Sequence, residues 1–217
     1  MKGLILKDFI NLKKNVKIFG ILTILYAFMA FTSKDASFFG SIFTMLFAIL
    51  ILSTFSYDEL AKWDGYALTM PISRQNIVQG KYIMMILLTF IGAAFSAVFT
   101  VLLNIILKSQ SLFYGIQVCA LGSAIVILFY SITIPIIMKL GIEKARLAFF
   151  AVYLVPFAIA YIGKEVIERR GLAMPGELIT SIEFLVKYVY IIVPLIVIIA
   201  LYSSYLISIE IYKKKEF

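Results

Sequence analysis

Long apolar runs alternate with short polar interruptions along this chain, and the runs dictate the reading. They extend approximately over Val16–Thr32, Phe38–Tyr57, Tyr82–Leu107, Ile116–Met138, Leu147–Ile162 and Leu185–Ile207. Each approaches or exceeds the roughly 20 residues a helix needs to cross hydrocarbon at about 1.5 Å per residue. In lipid every backbone amide and carbonyl must be satisfied internally, which uninterrupted runs of this length achieve as helices, not as alternating barrel strands. The pattern predicts an all-α membrane protein with six transmembrane helices. Composition agrees: 63% of residues are hydrophobic, 15% are charged and mean hydropathy is +1.03, more apolar surface than one water-soluble core hides.

Residues 1–15, MKGLILKDFINLKKN, precede the first run. A helical wheel puts Ile5, Phe9 and Leu12 on one side and Lys7, Asn11 and Lys14 on the other. That suits an amphipathic helix lying in the membrane interface, although a plain basic tail before an anchor fits as well. No small-x-small cleavage pattern follows, so the segment reads as a retained anchor.

Formal net charge is +8, and its placement sets the topology. With six spans and both termini on one side, that side holds fourteen of the twenty Lys and Arg residues. Basic loops stay cytoplasmic, so both ends and residues 58–81 are expected there. Residues 163–184 become the longest external loop, a solvated cap or a lid over an exit path.

Within the spans, Gly92, Ala93, Ala94, Ser96 and Ala97 repeat small residues at helical spacing. The pattern fits close helix packing, a subunit interface or a transport path. Pro135, Pro156 and Pro194 are expected to kink their helices. Hydroxyls and amides at Ser41, Thr44, Ser96, Thr100, Asn104, Gln117, Ser123, Ser131 and Thr133 read as interhelical hydrogen-bonding groups.

The chemistry excludes several functions. There is no histidine, and the single cysteine, Cys119, lies inside a span, so no disulfide or Cys-x-x-Cys site is available. Acidic residues fall at span ends and in loops, leaving no expected buried carboxylate pair for hydrolytic chemistry. Gly80-Lys81 is a poor match to a phosphate-binding loop, because Gln75 replaces the first glycine and Tyr82 the Ser or Thr. The expectation is therefore a non-enzyme that binds no cofactor directly. Nucleic acid is not an expected partner either, because the charge follows membrane topology.

The cytoplasmic loop DELAKWDGYALTMPISRQNIVQGK carries the only tryptophan. Read as a helix, it aligns Leu60, Trp63, Ala67 and Met70 on one face until Pro71 ends it. Ser73 then suits the cap of a second helix with Arg74, Gln75 and Asn76 in its first turn. From periodicity alone, Trp63 and Met70 serve equally as headgroup anchors or as knobs for a groove on a cytoplasmic partner.

These features resemble the membrane subunits of type-2 ABC exporters. The loop pattern carries the resemblance: Asp58-Glu59, Lys62-Trp63, Tyr66, Met70-Pro71-Ile72-Ser73-Arg74, Ile77-Val78 and Lys81-Tyr82 look like the small bacterial permeases of phenol-soluble-modulin exporters. The resemblance implies the type-2 ABC exporter fold and a coupling helix in this loop. Its contact with a separate ATPase subunit would then comprise Asp58, Glu59, Lys62, Trp63, Tyr66, Met70 and Arg74. It also implies two ATPase subunits that bind ATP and Mg, a second permease copy or homologue, a bacterial cell (inner) membrane, and export of an amphipathic or hydrophobic cargo such as a peptide or drug. The residues themselves leave open a stand-alone channel or carrier, or a membrane anchor or assembly protein.

Overall fold

A computed structural model describes residues 2–33, 36–107, 112–145 and 188–215, together with 147, 152, 154, 158 and 161–163. Seven helices of the described residues organise the chain: α1 (Lys2–Leu12), α2 (Val16–Ser33), α3 (Ala36–Leu60), α4 (Trp63–Ala67), α5 (Arg74–Leu107), α6 (Leu112–Leu140) and α7 (Val189–Lys214). A 3₁₀ turn, Lys13–Asn15, joins the first two. No strand occurs among the described residues.

Four of these helices are long and apolar enough to cross a bilayer: α3, α5, α6 and α7. The α1 and α2 segments meet at a 60° bend and add a fifth crossing if the pair is one broken span. The structure thus supports four or five of the six expected crossings. The expected span 147–162, its Pro156 and the external loop 163–184 lie largely or wholly outside the described residues.

The bundle centres on α3 and α5, whose mutual packing is the most extensive of any helix pair, with α6 against both and α7 against α5 and α6. Gly92 makes the close approach possible: a Cβ there would sit 2.7 Å from the Phe47 Cβ and 3.1 Å from the Thr44 Cα. Gly92 thus serves close helix packing, the first of the three expected uses, whereas Ala94 is exposed. Above this point an aromatic cluster joins three helices. Phe43 of α3 meets Tyr26 of α2 edge-on at 6.1 Å and Phe99 of α5 at 4.6 Å between centroids. Edge-to-face geometry aligns each ring's positive edge with its neighbour's negative face.

α7 is built inside out relative to a soluble helix. Ser204, Ser208 and Tyr212, four residues apart, are buried, while Ile191, Ile198 and Tyr202 are exposed. Lipid is as apolar as a protein core, so the hydroxyls turn inward to find partners and the isoleucines face out. Tyr82 of α5 meets both serines through its hydroxyl, at 2.5 Å from Ser204 and 2.8 Å from Ser208. Ser204 in turn donates to the carbonyl of Ser131 on α6. Pro135 and Pro194 sit inside α6 and α7, both of which continue through them.

Two local expectations change. The face of α1 turned inward is Leu4, Asp8 and Leu12, whereas Leu6 and Ile10 are exposed and Phe9 is marginally so. Of the Ile5–Phe9–Leu12 face, Leu12 is buried and Ile5 packs against the core while Phe9 turns out, and Asp8 adds a charged member to the inward side through its ion pair with Lys81 on α5. The loop changes more. α3 runs on to Leu60, the chain breaks at Lys62 with a left-handed φ of 47°, and only five residues form α4. The expected ridge therefore splits: Leu60 points outward, 82% exposed, and Ala67 is fully buried.

Candidate functional site where α1, α3 and α5 meet

α5 begins where its cap dictates. The Asn76 amide donates to the Ser73 hydroxyl at 3.2 Å, satisfying one of the unpaired amides of the first turn, with Pro71 just upstream. Starting there, α5 has 34 residues and a length of about 51 Å, longer than the roughly 30 Å hydrocarbon core. That length exceeds one bilayer crossing, and its first turns carry Arg74 and Lys81. The connection between α3 and α5 narrows from the expected 58–81 to residues 61–73.

Lys81 is where α1, α3 and α5 meet. Its ammonium lies 3.1 Å from the Asp8 carboxylate and 2.7 Å from that of Asp58. Lys7 completes a ring, 2.5 Å from Asp58 and 3.2 Å from Asp8. Lys81 also donates to the Thr54 hydroxyl at 3.2 Å and lies 5.0 Å from the Phe55 ring centroid. With side-chain exposures of 7% for Lys81, 5% for Asp8 and 9% for Asp58, three members of the ring are nearly dry, and Lys7, 22% exposed, is its solvent-facing side. Two ammoniums and two carboxylates leave no net charge, the arrangement under which buried ions are tolerated.

This ring corrects one expectation and explains one rejected motif. Two carboxylates, Asp8 and Asp58, are buried together after all, but each is shared between two ammoniums, which makes them structural anions. Gly80-Lys81 lies within α5 rather than in a loop, and its lysine is committed to the ring.

Of the seven predicted contact residues, the structure turns three toward the bundle. Asp58 belongs to the ring. Glu59 accepts the Ile142 amide at 2.6 Å, just beyond α6, where Gly141 has a φ of +79°. A side chain at position 141 would need that strained conformation and would also sit 3.1 Å from the Glu59 carboxylate. Arg74 donates to the terminal carbonyls of α7, at 2.6 Å to Lys213 and 3.0 Å to Lys215. A cation over the last turn offsets the negative end of the helix dipole and satisfies carbonyls that have no intrahelical amide.

Trp63 is half-buried, with the Lys7 ammonium 4.4 Å from its ring centroid and the Tyr66 ring at 5.6 Å. The indole is therefore partnered within the chain. Met70 is also half-buried. Lys62 and Tyr66 are exposed, the latter by 58%, and Glu59 is exposed as well even though it bonds the Ile142 amide, so of the seven only Asp58 is buried.

A cleft of about 520 Å³ opens beside this surface. Phe55, Ile77, Ile137 and Met138 line its apolar part, with Asp58, Glu59, Asp64, Lys62, Lys81 and Lys139 around them. No group of three or more metal-binding side chains occurs among the described residues.

Deeper in the bundle the predicted polar groups find mostly local partners. Ser96 of α5 donates to the Cys119 sulfur of α6 at 3.0 Å, and Thr100 lies 3.5 Å from the same atom. Ser131 donates to the Ile127 carbonyl at 2.8 Å, and Ser123 to that of Ala120 at 2.7 Å. Thr44, Asn104 and Thr133 are buried. The Ser41 side chain lies outside the described residues.

Sequence reasoning identified Asp58 and Arg74 but assigned neither to a contact within the chain, and it missed Asp8 entirely. The only advance signal was an acidic residue amid the apolar and basic residues of 1–15. Neither the curated proteins nor the solved structures yielded a match. A family model described as ABC-2 family transporter protein matches residues 3–213, nearly the whole chain from α1 to the end of α7. This multi-pass helical membrane protein belongs to the ABC-2 transporter family.

Proposed function

We propose that the chain is the permease subunit of an ATP-driven exporter and that it receives mechanical work through residues 61–73, around α4. One observation carries the reading: this short connection is mounted by side chains on nearly every helix of the bundle. Asp58 joins it to α1 and α5, Glu59 to the end of α6, and Arg74 to the end of α7. Displacing α4 therefore displaces the bundle.

In this reading Lys62 and Tyr66 form the contact with a separate ATPase subunit, with Met70 at its edge. Trp63 fixes α4 to α1 beneath that contact. Asp58, Glu59 and Arg74 transmit movement and do not touch the partner. A pair of permeases and a pair of ATPases form the working unit, and nucleotide biases a two-state rocking of the helices. Both termini and α4 face the bacterial cytoplasm. The cargo is amphipathic or hydrophobic, peptides included, because the spans offer hydroxyls and aromatic rings but no fixed charge with which to hold an ion.

Copurification with the cognate ATPase subunit tests the division of roles. Lys62→Glu with Tyr66→Ala should reduce complex recovery at least tenfold, whereas Glu59→Gln and Arg74→Gln should retain the complex and lose transport-coupled ATP hydrolysis. Full complex formation and coupled transport in the Lys62→Glu/Tyr66→Ala variant would sink the proposal.

A further inference from the structure

A second recess opens between α6 and α7 at the same end of the bundle, with a volume of about 400 Å³. Lys139 of α6 faces Lys214 and Lys215 at the end of α7, and Met138, Ile207 and Ile211 supply an apolar lining. We propose that this groove is a binding site for one anionic phospholipid, with its phosphate among the three lysines and an acyl chain against the apolar residues.

Charge is the first argument. Three ammoniums against the one carboxylate in the lining, Glu210, leave a local charge of 3 − 1 = +2. Among the described residues neither Lys139 nor Lys214 forms an ion pair. The usual structural task for basic side chains here, capping the last carbonyls of α7, has been taken by Arg74 from the other side. Glu210 lies one turn before Lys214 on α7, a spacing that places its carboxylate beside that lysine, and the local charge already includes it.

Shape is the second argument. Ile207 is 52% exposed and adjoins Leu206, which is 46% exposed, so the apolar lining is continuous with the outer face of α7. A soluble anion would leave that strip wet, and a neutral lipid would leave Lys139 and Lys214 without a counter-charge. An anionic phospholipid satisfies both, and basic recesses between helices on the cytoplasmic side are suited to such headgroups. The choice of leaflet rests on the permease reading and its topology; the groove itself does not. Lysines that merely snorkel to water would give no saturable binding and no selection by headgroup.

Binding is read by native mass spectrometry of the full-length chain in mixed micelles titrated with phosphatidylglycerol or phosphatidylcholine. One saturable phosphatidylglycerol is expected, favoured at least tenfold over phosphatidylcholine. Lys139→Gln/Lys214→Gln/Lys215→Gln should remove the preference, while the charge-matched control Lys2→Gln/Lys13→Gln/Lys17→Gln should change it less than twofold. Ile207→Trp fills the apolar side and should weaken phosphatidylglycerol several-fold without altering charge. Should the triple groove variant misfold, Lys139→Gln alone is expected to lose about fivefold. Equal losses in the control, absence of headgroup preference, an unaffected Ile207→Trp, or equally tight binding of soluble glycerol phosphate would each overturn the site. Because micelles carry no ATPase and no sidedness, failure here leaves the permease reading standing, and failure of the copurification test leaves this one standing.

Discussion

The two halves of α5 are held by different physics. Toward its beginning, Arg74, Lys81 and Tyr82 each reach across to another helix through hydrogen bonds or ion pairs. Farther along, Gly92 and Phe95 join α3 by surface fit and ring contact, and Ser96 and Thr100 add contacts to one sulfur atom of α6. Directional links pass a displacement from one helix to the next, whereas packed apolar faces slide and repack at smaller cost. The difference predicts that the first half transmits motion and the second half accommodates it.

Removing one member of the ion ring should have the largest effect. Lys81→Met leaves Asp8 and Asp58 with Lys7 alone, and stranding a buried carboxylate costs about 3–5 kcal/mol. A mixed-micelle unfolding titration is expected to show that loss, together with freer proteolysis of α1. Replacing the whole ring, Lys7→Met/Asp8→Leu/Asp58→Leu/Lys81→Met, should recover most of it. A single-variant loss below about 1 kcal/mol would mean that the ring is hydrated, and the contrast between the halves would weaken.

Gly92→Leu tests the other half. Helix propensity would favour leucine by about 1 kcal/mol, yet its first carbon already collides with Phe47 and Thr44. Overpacking costs roughly 1–3 kcal/mol, and contacts this short call for the upper end, so a net loss of up to about 2 kcal/mol is expected in the same titration. Connection to α4 should survive, which cysteine accessibility at position 66 would report as unchanged.

The smallest effect is expected from Arg74→Ala, about 1 kcal/mol, since solvent partly replaces the guanidinium at the end of α7. Its signature is local. Amide hydrogen exchange should rise several-fold over residues 210–215 and stay constant across α3. Acceleration spread over the whole bundle would show that Arg74 supports the fold at large and is not a link to one helix.

How much of this was legible in the sequence depended on the range of each interaction. The Ser73 cap is encoded within four residues and occurs where expected, whereas the helix expected to run as far as Pro71 ends at Ala67. The apolar runs located α3, α5, α6 and α7, because lipid enforces helicity regardless of neighbours. The ion ring was hidden because Asp8 and Lys81 stand 73 positions apart, each beside ordinary apolar or basic neighbours. The break at Lys62 was hidden too: a lysine carries no local preference for a left-handed backbone, and its conformation follows from Asp58 and Glu59 being fixed on one side and Trp63 on the other. Serines 204 and 208 were visible at helical spacing, but only Tyr82 on another helix gives that spacing its use.

The placement of charge at one end also decides how this protein responds to membrane voltage. From Tyr82 to Leu107, from Leu112 to Met138 and from Tyr188 to Ile209, no side chain carries a charge. A full elementary charge crossing a 100 mV potential exchanges about 2.3 kcal/mol with the field, but rocking this bundle carries none through the middle of it. The resting potential therefore does almost no work on the protein itself. Any voltage dependence of transport should belong to the charge of the cargo, and a neutral cargo should cross at a rate indifferent to polarisation.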